Sequence, residues 1–198
     1  MKISSKRLFD LSGVIPGLLL LSPLFLFIAL WIKLDSRGPI LFFQTRIGQH
    51  GKPFQIIKFR TMYHQTAGLK LTIGQDARIT RCGHFLRKYK LDELPQLINV
   101  FKGEMSLVGP RPEVPEYVAL YPDGIREYVL SVPVGITDYA SIEFRNESEL
   151  LAHSQQPEID YVQKILPVKL AYHQKYVSEQ SLSLDIRLII RTVKKILW

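Results

Sequence analysis

The pattern of polar and apolar positions divides the chain close to its start. Between Asp10 and Lys33 no side chain is charged, and the run from Leu11 to Ile32 is interrupted only by Ser12, Gly13, Pro16, Gly17, Ser22 and Pro23. As a helix rising roughly 1.5 Å per residue, it would extend about 33 Å, enough to cross the hydrocarbon core of a bilayer. Its flanks share one sign: Lys2, Lys6 and Arg7 precede it, Lys33 and Arg37 follow it, and Arg46 and Lys52 come a little further on. Basic residues on both sides give the positive-inside bias no winner and tend to hold both ends on the cytoplasmic side. Near the middle, Pro23 removes a helix hydrogen bond, and the Ser22 hydroxyl is placed to take up a freed backbone group. Two arms of about ten residues, each roughly 15 Å long, would reach mid-bilayer and return. A kinked single span satisfies the same residues, so the pattern alone leaves both open. A cleaved signal peptide fits poorly, because the run is long and no small-residue cleavage site follows it.

Beyond the apolar run the pattern changes to short elements. Ile40 to Arg46 and Phe54 to Arg60 are rich in β-formers and joined by turn residues from Gly48 to Pro53, which predicts an antiparallel hairpin. Thr80 to Tyr89 reads as a helix. A second helix is expected to begin at Asp92, with Pro95 in its first turn, and to end before Gly103. Short helices follow over Pro115 to Tyr121 and Gly124 to Ser131, a mixed segment over Ile136 to Phe144, and a longer helix over Pro157 to Val177 with a break at Pro167. Ser183 to Trp198 forms a basic amphipathic pattern: Leu184, Leu188, Val193 and Ile196 offer an apolar side, and Arg187, Arg191, Lys194 and Lys195 the basic residues. Such a helix suits a membrane interface, and equally a packing helix with a solvated face. The expectation is an α+β chain, largely helical, in two parts: a membrane segment over 1–35, broken at Ser22-Pro23, and one domain over 36–198.

Charge narrows the partners. The chain of 198 residues carries a formal charge of +8, which implies attraction to phosphates: nucleic acid, anionic lipid or a phosphorylated substrate. Cys82 is the sole cysteine, so no internal disulfide is possible, and it lacks the context of a nucleophile.

The segment from Lys90 to Leu97 holds the candidate chemistry. Asp92 at a helix start would be kept ionised by amide donors and the helix dipole, suiting it to attack on phosphorus or to hold a divalent cation. Glu93 adds a second carboxylate, for metal binding or acid–base help. Taken alone, such a pair is as readily a plain cap. The surroundings favour chemistry: Arg111 sits between Pro110 and Pro112, where little entropy is left to lose in gripping a phosphate. Lys58 and Arg60 end a strand, and Arg87, Lys88 and Lys90 lie just before the carboxylates. Many cations around a small acidic pair suit diphosphate chemistry.

These residues, taken in order, resemble a family. Lys6-Arg7 with Asp10, Ser22-Pro23, Asp35-Ser36 with Gly38-Pro39, Gln44-Thr45-Arg46-Ile47-Gly48, Lys58-Phe59-Arg60-Thr61-Met62, Leu91-Asp92-Glu93-Leu94-Pro95-Gln96, Ser106 to Pro112, and Gly135-Ile136-Thr137 followed by Arg145-Asn146 are similar to the small monotopic phosphoglycosyl transferases of bacteria. The resemblance covers nearly the whole chain. It implies transfer of a sugar phosphate from a UDP-sugar to undecaprenyl phosphate with Mg²⁺ and release of UMP, the first membrane step in assembling glycans such as lipopolysaccharide. Asp92 would be the nucleophile that forms a covalent phosphosugar, and Glu93 its partner in metal binding or acceptor activation. Lys58, Arg60, Arg87, Arg111 and Arg145 would bind phosphates. The apolar run would be a re-entrant hairpin at the cytoplasmic face of the inner membrane, without the extra spans of larger relatives. Val134 departs from the pattern, where a proline is common before Gly135, and Asp138 lies in a region that varies within the family and bears on the sugar. The sugar, the pathway and the oligomeric state, a homo-oligomer included, stay open.

Two other classes remain at this point. A tethered nucleic-acid binder shares the net charge but lacks a recognition helix or interleaved stacking aromatics, so no nucleic-acid partner is expected. A membrane scaffold would use Asp92 and Glu93 only as a cap. A multi-span transferase needs many apolar segments, and this chain has one.

Overall fold

Ser4 opens the first helix. In the computed structural model, which describes residues 4–63, 73–74 and 76–197, the Ser4 hydroxyl accepts the Arg7 amide at 3.2 Å and α1 runs over Ser5–Asp35. Lys2 and Trp198 lie outside the described residues. Pro16 and Pro23 both fall inside α1. Pro23 has no N–H to offer the Leu19 carbonyl one turn back, and the Ser22 hydroxyl donates to that carbonyl instead, at 2.8 Å. The serine thus takes up the carbonyl that Pro23 frees, and helical structure is kept on both sides of Ser22-Pro23. By length and composition α1 could cross a membrane.

Both ends of α1 are tied to the rest of the chain. At its start, Lys6 donates to Asp185 Oδ2 at 2.6 Å and to the Tyr176 hydroxyl at 3.2 Å. Arg7 donates to the carbonyls of Val100 and Phe101. Asp10, which is buried, accepts the Ser106 hydroxyl and the Leu107 amide, each at 3.0 Å. At its end, Asp35 accepts the Cys82 amide at 3.1 Å. Arg60 donates there to the carbonyls of Ser36 at 2.7 Å and Arg37 at 2.8 Å. Along the helix Val14, Ile28 and Ile32 are buried against the body, whereas Leu19, Leu20, Leu26, Phe27, Leu30 and Leu34 are exposed. Such a contiguous apolar surface marks a membrane or partner contact.

The remaining elements follow the sequence closely. β1 (Leu41–Ile47) and β2 (Pro53–Phe59) pair antiparallel, Leu41 opposite Phe59 and Ile47 opposite Pro53. α2 (Arg81–Lys88) is capped by the Thr80 hydroxyl, which accepts the Gly83 amide at 3.0 Å. A 3₁₀ turn over Leu91–Glu93 leads into α3 (Gln96–Lys102), which Gly103 closes at φ 86°. β3 (Ser106–Val108) is followed by α4 (Pro115–Val118) and α5 (Ile125–Val129), then by β4 (Gly135–Thr137), α6 (Tyr139–Glu143), α7 (Glu147–Ala152) and α8 (Pro157–Asp160). A π turn over Tyr161–Ile165 precedes α9 (Leu166–Glu179), a widened turn where Pro167 withholds its amide. α10 spans Leu182–Leu197.

α10 departs from the expected apolar side. Leu184 and Leu188 are buried with Val108, Val132, Ile142 and Tyr176, but Val193 joins Ile186 and Ile190 in a separate exposed row. Asp185, at the start of α10, is buried because it pairs with Lys6.

β3 and β4 pair in parallel, a contact between short segments that the sequence did not announce. The Gly109 amide donates to the Thr137 carbonyl at 3.0 Å, and the Gly135 amide to the Pro110 carbonyl at 2.9 Å. A Cβ on Gly135 would fall 2.1 Å from the Gly109 nitrogen, and one on Gly109 would fall 2.2 Å from the Pro133 carbonyl oxygen. Two glycines thus allow the backbones to touch. Gly135→Ala is expected to cost about 3 kcal/mol, because neither backbone can yield without losing the ladder. Thermal unfolding in detergent measures this; an unchanged melting temperature would contradict the close approach.

Candidate active site

Asp92 and Glu93 lie in the 3₁₀ turn between α2 and α3, and both are buried. Asp92 does not cap a helix as expected: no side-chain cap bond is made in this turn, and Pro95 stands at the start of α3. The chain enters the turn through Lys90 at φ 54°, ψ 22°, a left-handed conformation that costs a non-glycine residue roughly 1 kcal/mol or more. Glu93 is held by cations on two sides. Lys58 Nζ, from β2, lies 2.8 Å from Glu93 Oε1. Arg111 grips the same carboxylate with both arms, Nη1 at 3.1 Å from Oε2 and Nη2 on Oε1.

The electrostatics separate the two acids. Burial alone would raise the Glu93 pKa, but the charges of Arg111 and Lys58 and the Arg111 hydrogen bonds outweigh it and hold the carboxyl well below its usual range. For Asp92, burial and the neighbouring Glu93 charge push its pKa upward, and Lys58, Lys90 and Arg87 offset this only in part. Asp92 Oδ1 is buried with no hydrogen-bond partner. One carboxylate is fully paired; the other keeps an unpaired oxygen.

Neighbouring segments place the cations. Asn99 of α3 accepts the Ile57 amide at 3.0 Å and donates to the Gln55 carbonyl at 2.7 Å, which fixes β2 against α3 and Lys58 beside Glu93. The Arg111 loop leaves β3 through the Gly109–Gly135 contact. Behind it, Arg46 donates to the Pro112 carbonyl at 3.2 Å and lies 3.3 Å from Glu113 Oε2. Glu113 also accepts the Tyr161 hydroxyl at 2.6 Å and lies 3.4 Å from Lys169, which pairs with Glu147 at 2.6 Å. This buried chain of charges braces the loop from behind.

The predicted residues divide accordingly. Lys58, Arg111, Asp92 and Glu93 meet directly, and Arg87, which donates to the Thr61 hydroxyl at 3.1 Å, acts on Asp92 by its charge. Arg60 is instead committed to the end of α1, and Arg145 donates to the carbonyls of Lys195 and Ile196 at the end of α10. Asp138 is buried, caps α6 through the Ser141 amide at 2.8 Å, and faces His173 at 3.0 Å. Sequence reasoning named Gln96 only within a motif; its Nε2 is buried without a partner, like Asp92 Oδ1. Asn99, a polar residue inside the apolar stretch Leu97–Phe101, was the available signal for the β2 clamp.

Among the described residues no three His, Cys, Asp or Glu side chains gather to hold a metal. Mg²⁺ needs fewer, since it keeps waters and shares one or two carboxylates with substrate phosphates. The open Asp92 Oδ1 fits that sparse requirement, whereas both Glu93 oxygens are taken.

The clamp makes a pH-dependent prediction. Glu93 ionises below its ordinary range in the fold, so the stability it contributes is complete above the unfolded pKa of about 4.3 and is lost as pH falls through the folded value. Arg111→Met should lower stability at neutral pH by about 3 kcal/mol, by leaving a buried carboxylate short of a partner. The gap between variant and parent should narrow as the pH drops below the carboxylate range. Denaturant unfolding across pH measures it, and a gap that stays constant would contradict the clamp.

The sequence is similar to known proteins. The family model described as bacterial sugar transferase matches residues 1–198. An undecaprenyl-phosphate glucose phosphotransferase of Komagataeibacter xylinus is 40% identical over 198 residues, covering 96% of this chain and 35% of the relative. An uncharacterized sugar transferase, EpsL, of Bacillus subtilis is 37% identical, covering 97% of this chain and 87% of the relative. A UDP-glucose:undecaprenyl-phosphate glucose-1-phosphate transferase of Caulobacter vibrioides is 38% identical, with 97% and 69% covered. The chain thus spans about a third of the first relative and most of the other two. It belongs to the bacterial sugar transferase family.

Proposed function

We propose that this chain transfers a sugar phosphate from a UDP-sugar to undecaprenyl phosphate through a covalent intermediate on Asp92. The observation that carries this reading is the division between the two acids: Glu93 locked by Lys58 and Arg111, Asp92 with a buried oxygen left unpaired. The activities for which the relatives are named supply the substrate class.

The chemistry follows from the residues. An Asp92 carboxylate oxygen attacks the β-phosphorus of the nucleotide sugar. The bond from that phosphorus to the bridging oxygen breaks, and UMP leaves with its electron pair. A phosphate oxygen of undecaprenyl phosphate then attacks the aspartyl-bound phosphorus, forming the lipid-linked diphosphate and freeing Asp92. Splitting the transfer in this way lets a water-soluble donor and a lipid acceptor use one site in turn. Glu93 serves as the counter-charge that keeps Lys58 and Arg111 facing the turn, and both cations, with Arg87, offset charge on the phosphoryl group. Mg²⁺, when bound, would be held by Asp92 and not by Glu93, whose oxygens Lys58 and Arg111 occupy, and it would supply positive charge to offset that of the phosphates.

The same reading places the protein on the cytoplasmic face of the inner membrane, with α1 entering and leaving from that side. Support comes from the ties at Lys6, Arg7 and Asp10 and at Asp35 and Arg60, which join both ends of α1 to one body. The exposed row Ile186, Ile190 and Val193, beside Arg187, Arg191 and Lys194, would rest at headgroup level.

Two outcomes test the proposal. Asp92→Asn should leave the fold intact and reduce UMP release from a UDP-sugar with undecaprenyl phosphate and Mg²⁺ by at least about a thousandfold, the scale for loss of a nucleophile. Near-parental release refutes the assignment. Single cysteines at Ser4 and Arg37 should both react with an impermeant maleimide from the cytoplasmic side of sealed vesicles. Labelling of either from the opposite side would make α1 a true span.

A further inference from the structure

Four aromatic rings form a continuous ladder from the apolar helix to the catalytic turn. Phe27 and Trp31 of α1 have centroids 6.0 Å apart, Trp31 and Phe85 of α2 are 5.3 Å apart, and Phe85 and Tyr89 are 4.7 Å apart. Interplanar angles of 51–52° leave edges and faces available along the row. Phe27 is 62% exposed and Phe85 45%, so the ladder is a surface and not a core. Its upper end is charged: Lys88 Nζ stands 5.4 Å from the Tyr89 ring centroid, and Lys90 follows directly before the turn that carries Asp92.

We infer that this ladder is the track for the polyprenyl chain of the acceptor, an inference that rests on the transfer reading above. The occupant is chosen by chemistry at both ends. A molecule that fits must have a long apolar tail to cover Phe27, Trp31 and Phe85, and an anionic phosphate head to meet Lys88, Lys90 and Arg87 beside Asp92. A polyprenyl phosphate has both. Its unsaturated chain offers many contacts to ring faces, each weak and together sufficient to orient the head. The track also explains why Phe85 is exposed on a helix whose other face, Cys82 and Leu86, is fully buried. Ordinary bilayer phospholipid is the competing occupant, in which case the rings are interfacial anchors only.

The test uses the full chain in liposomes. Phe27→Ser and Phe85→Ser should each raise the KM for undecaprenyl phosphate by about tenfold, equivalent to about 1.4 kcal/mol of lost apolar contact, while the KM for the nucleotide sugar does not follow it. A photoreactive undecaprenyl phosphate should crosslink to the peptide containing Phe85 and Tyr89 in the unsubstituted protein, and unlabelled undecaprenyl phosphate but not phosphatidylglycerol should suppress it. Crosslinking needs no turnover, so its result stands whether or not Asp92 carries the covalent step. An acceptor KM unchanged in both variants, or equal suppression by phosphatidylglycerol, overturns the track.

Discussion

Two adjacent carboxylates buried in one tight turn cannot both remain charged unless something compensates them, and the way this protein compensates them organises everything around the turn. Glu93 receives two cations and Asp92 receives none directly. That asymmetry sets their ionisation apart, and residues far off in sequence exist to maintain it. Asn99 clamps the strand that bears Lys58, while Gly109 and Gly135 let two backbones touch so that the loop bearing Arg111 arrives at Glu93 from the opposite side. A neutral glutamine at 93 would leave two half-buried cations without a counter-charge. The arrangement therefore couples stability to the same contacts that prepare the site.

The apolar helix enters the same logic through packing. α2 and α3, which flank the turn that holds Asp92 and Glu93, both rest on α1: Leu86 and Cys82 against Ile28 and Ile32, Val100 and Leu97 against Val14 and Leu18. Ties at each end of α1 keep it from drifting relative to the turn. If α1 lies in the membrane, the depth of Asp92 is set by these contacts and not by a flexible linker, and the two substrates meet at a fixed height.

Much of this was legible in the sequence, where local chemistry decides local structure. The β-hairpin, α2 and the Gly103 terminus follow from propensity and turn residues; so does the gathering of cations around the acidic pair, from charge and motif. What escaped was tertiary. Arg60 and Arg145 look like phosphate ligands in a string of letters, yet in the fold each donates to carbonyls that a helix end leaves open. The parallel pairing of β3 with β4 joins two three-residue segments that carry no alternation to betray them. Asp92 was expected to cap a helix, but Lys90 turns the chain into a left-handed conformation first and leaves Asp92 inside a tighter turn. α10 buries Leu184 and Leu188 together with Asp185, which Lys6 draws inward, and leaves Ile186, Ile190 and Val193 outside.

The claim that Asp92 and not Glu93 takes the phosphosugar is tested most directly by mass. The protein is incubated with a UDP-sugar and Mg²⁺ in the absence of any lipid acceptor, quenched in acid, and digested. The account predicts a phosphosugar adduct on the peptide containing residues 91–97, borne by Asp92, which disappears when undecaprenyl phosphate is added. An adduct on Glu93, or transfer to lipid with no adduct at any time after mixing, would contradict it.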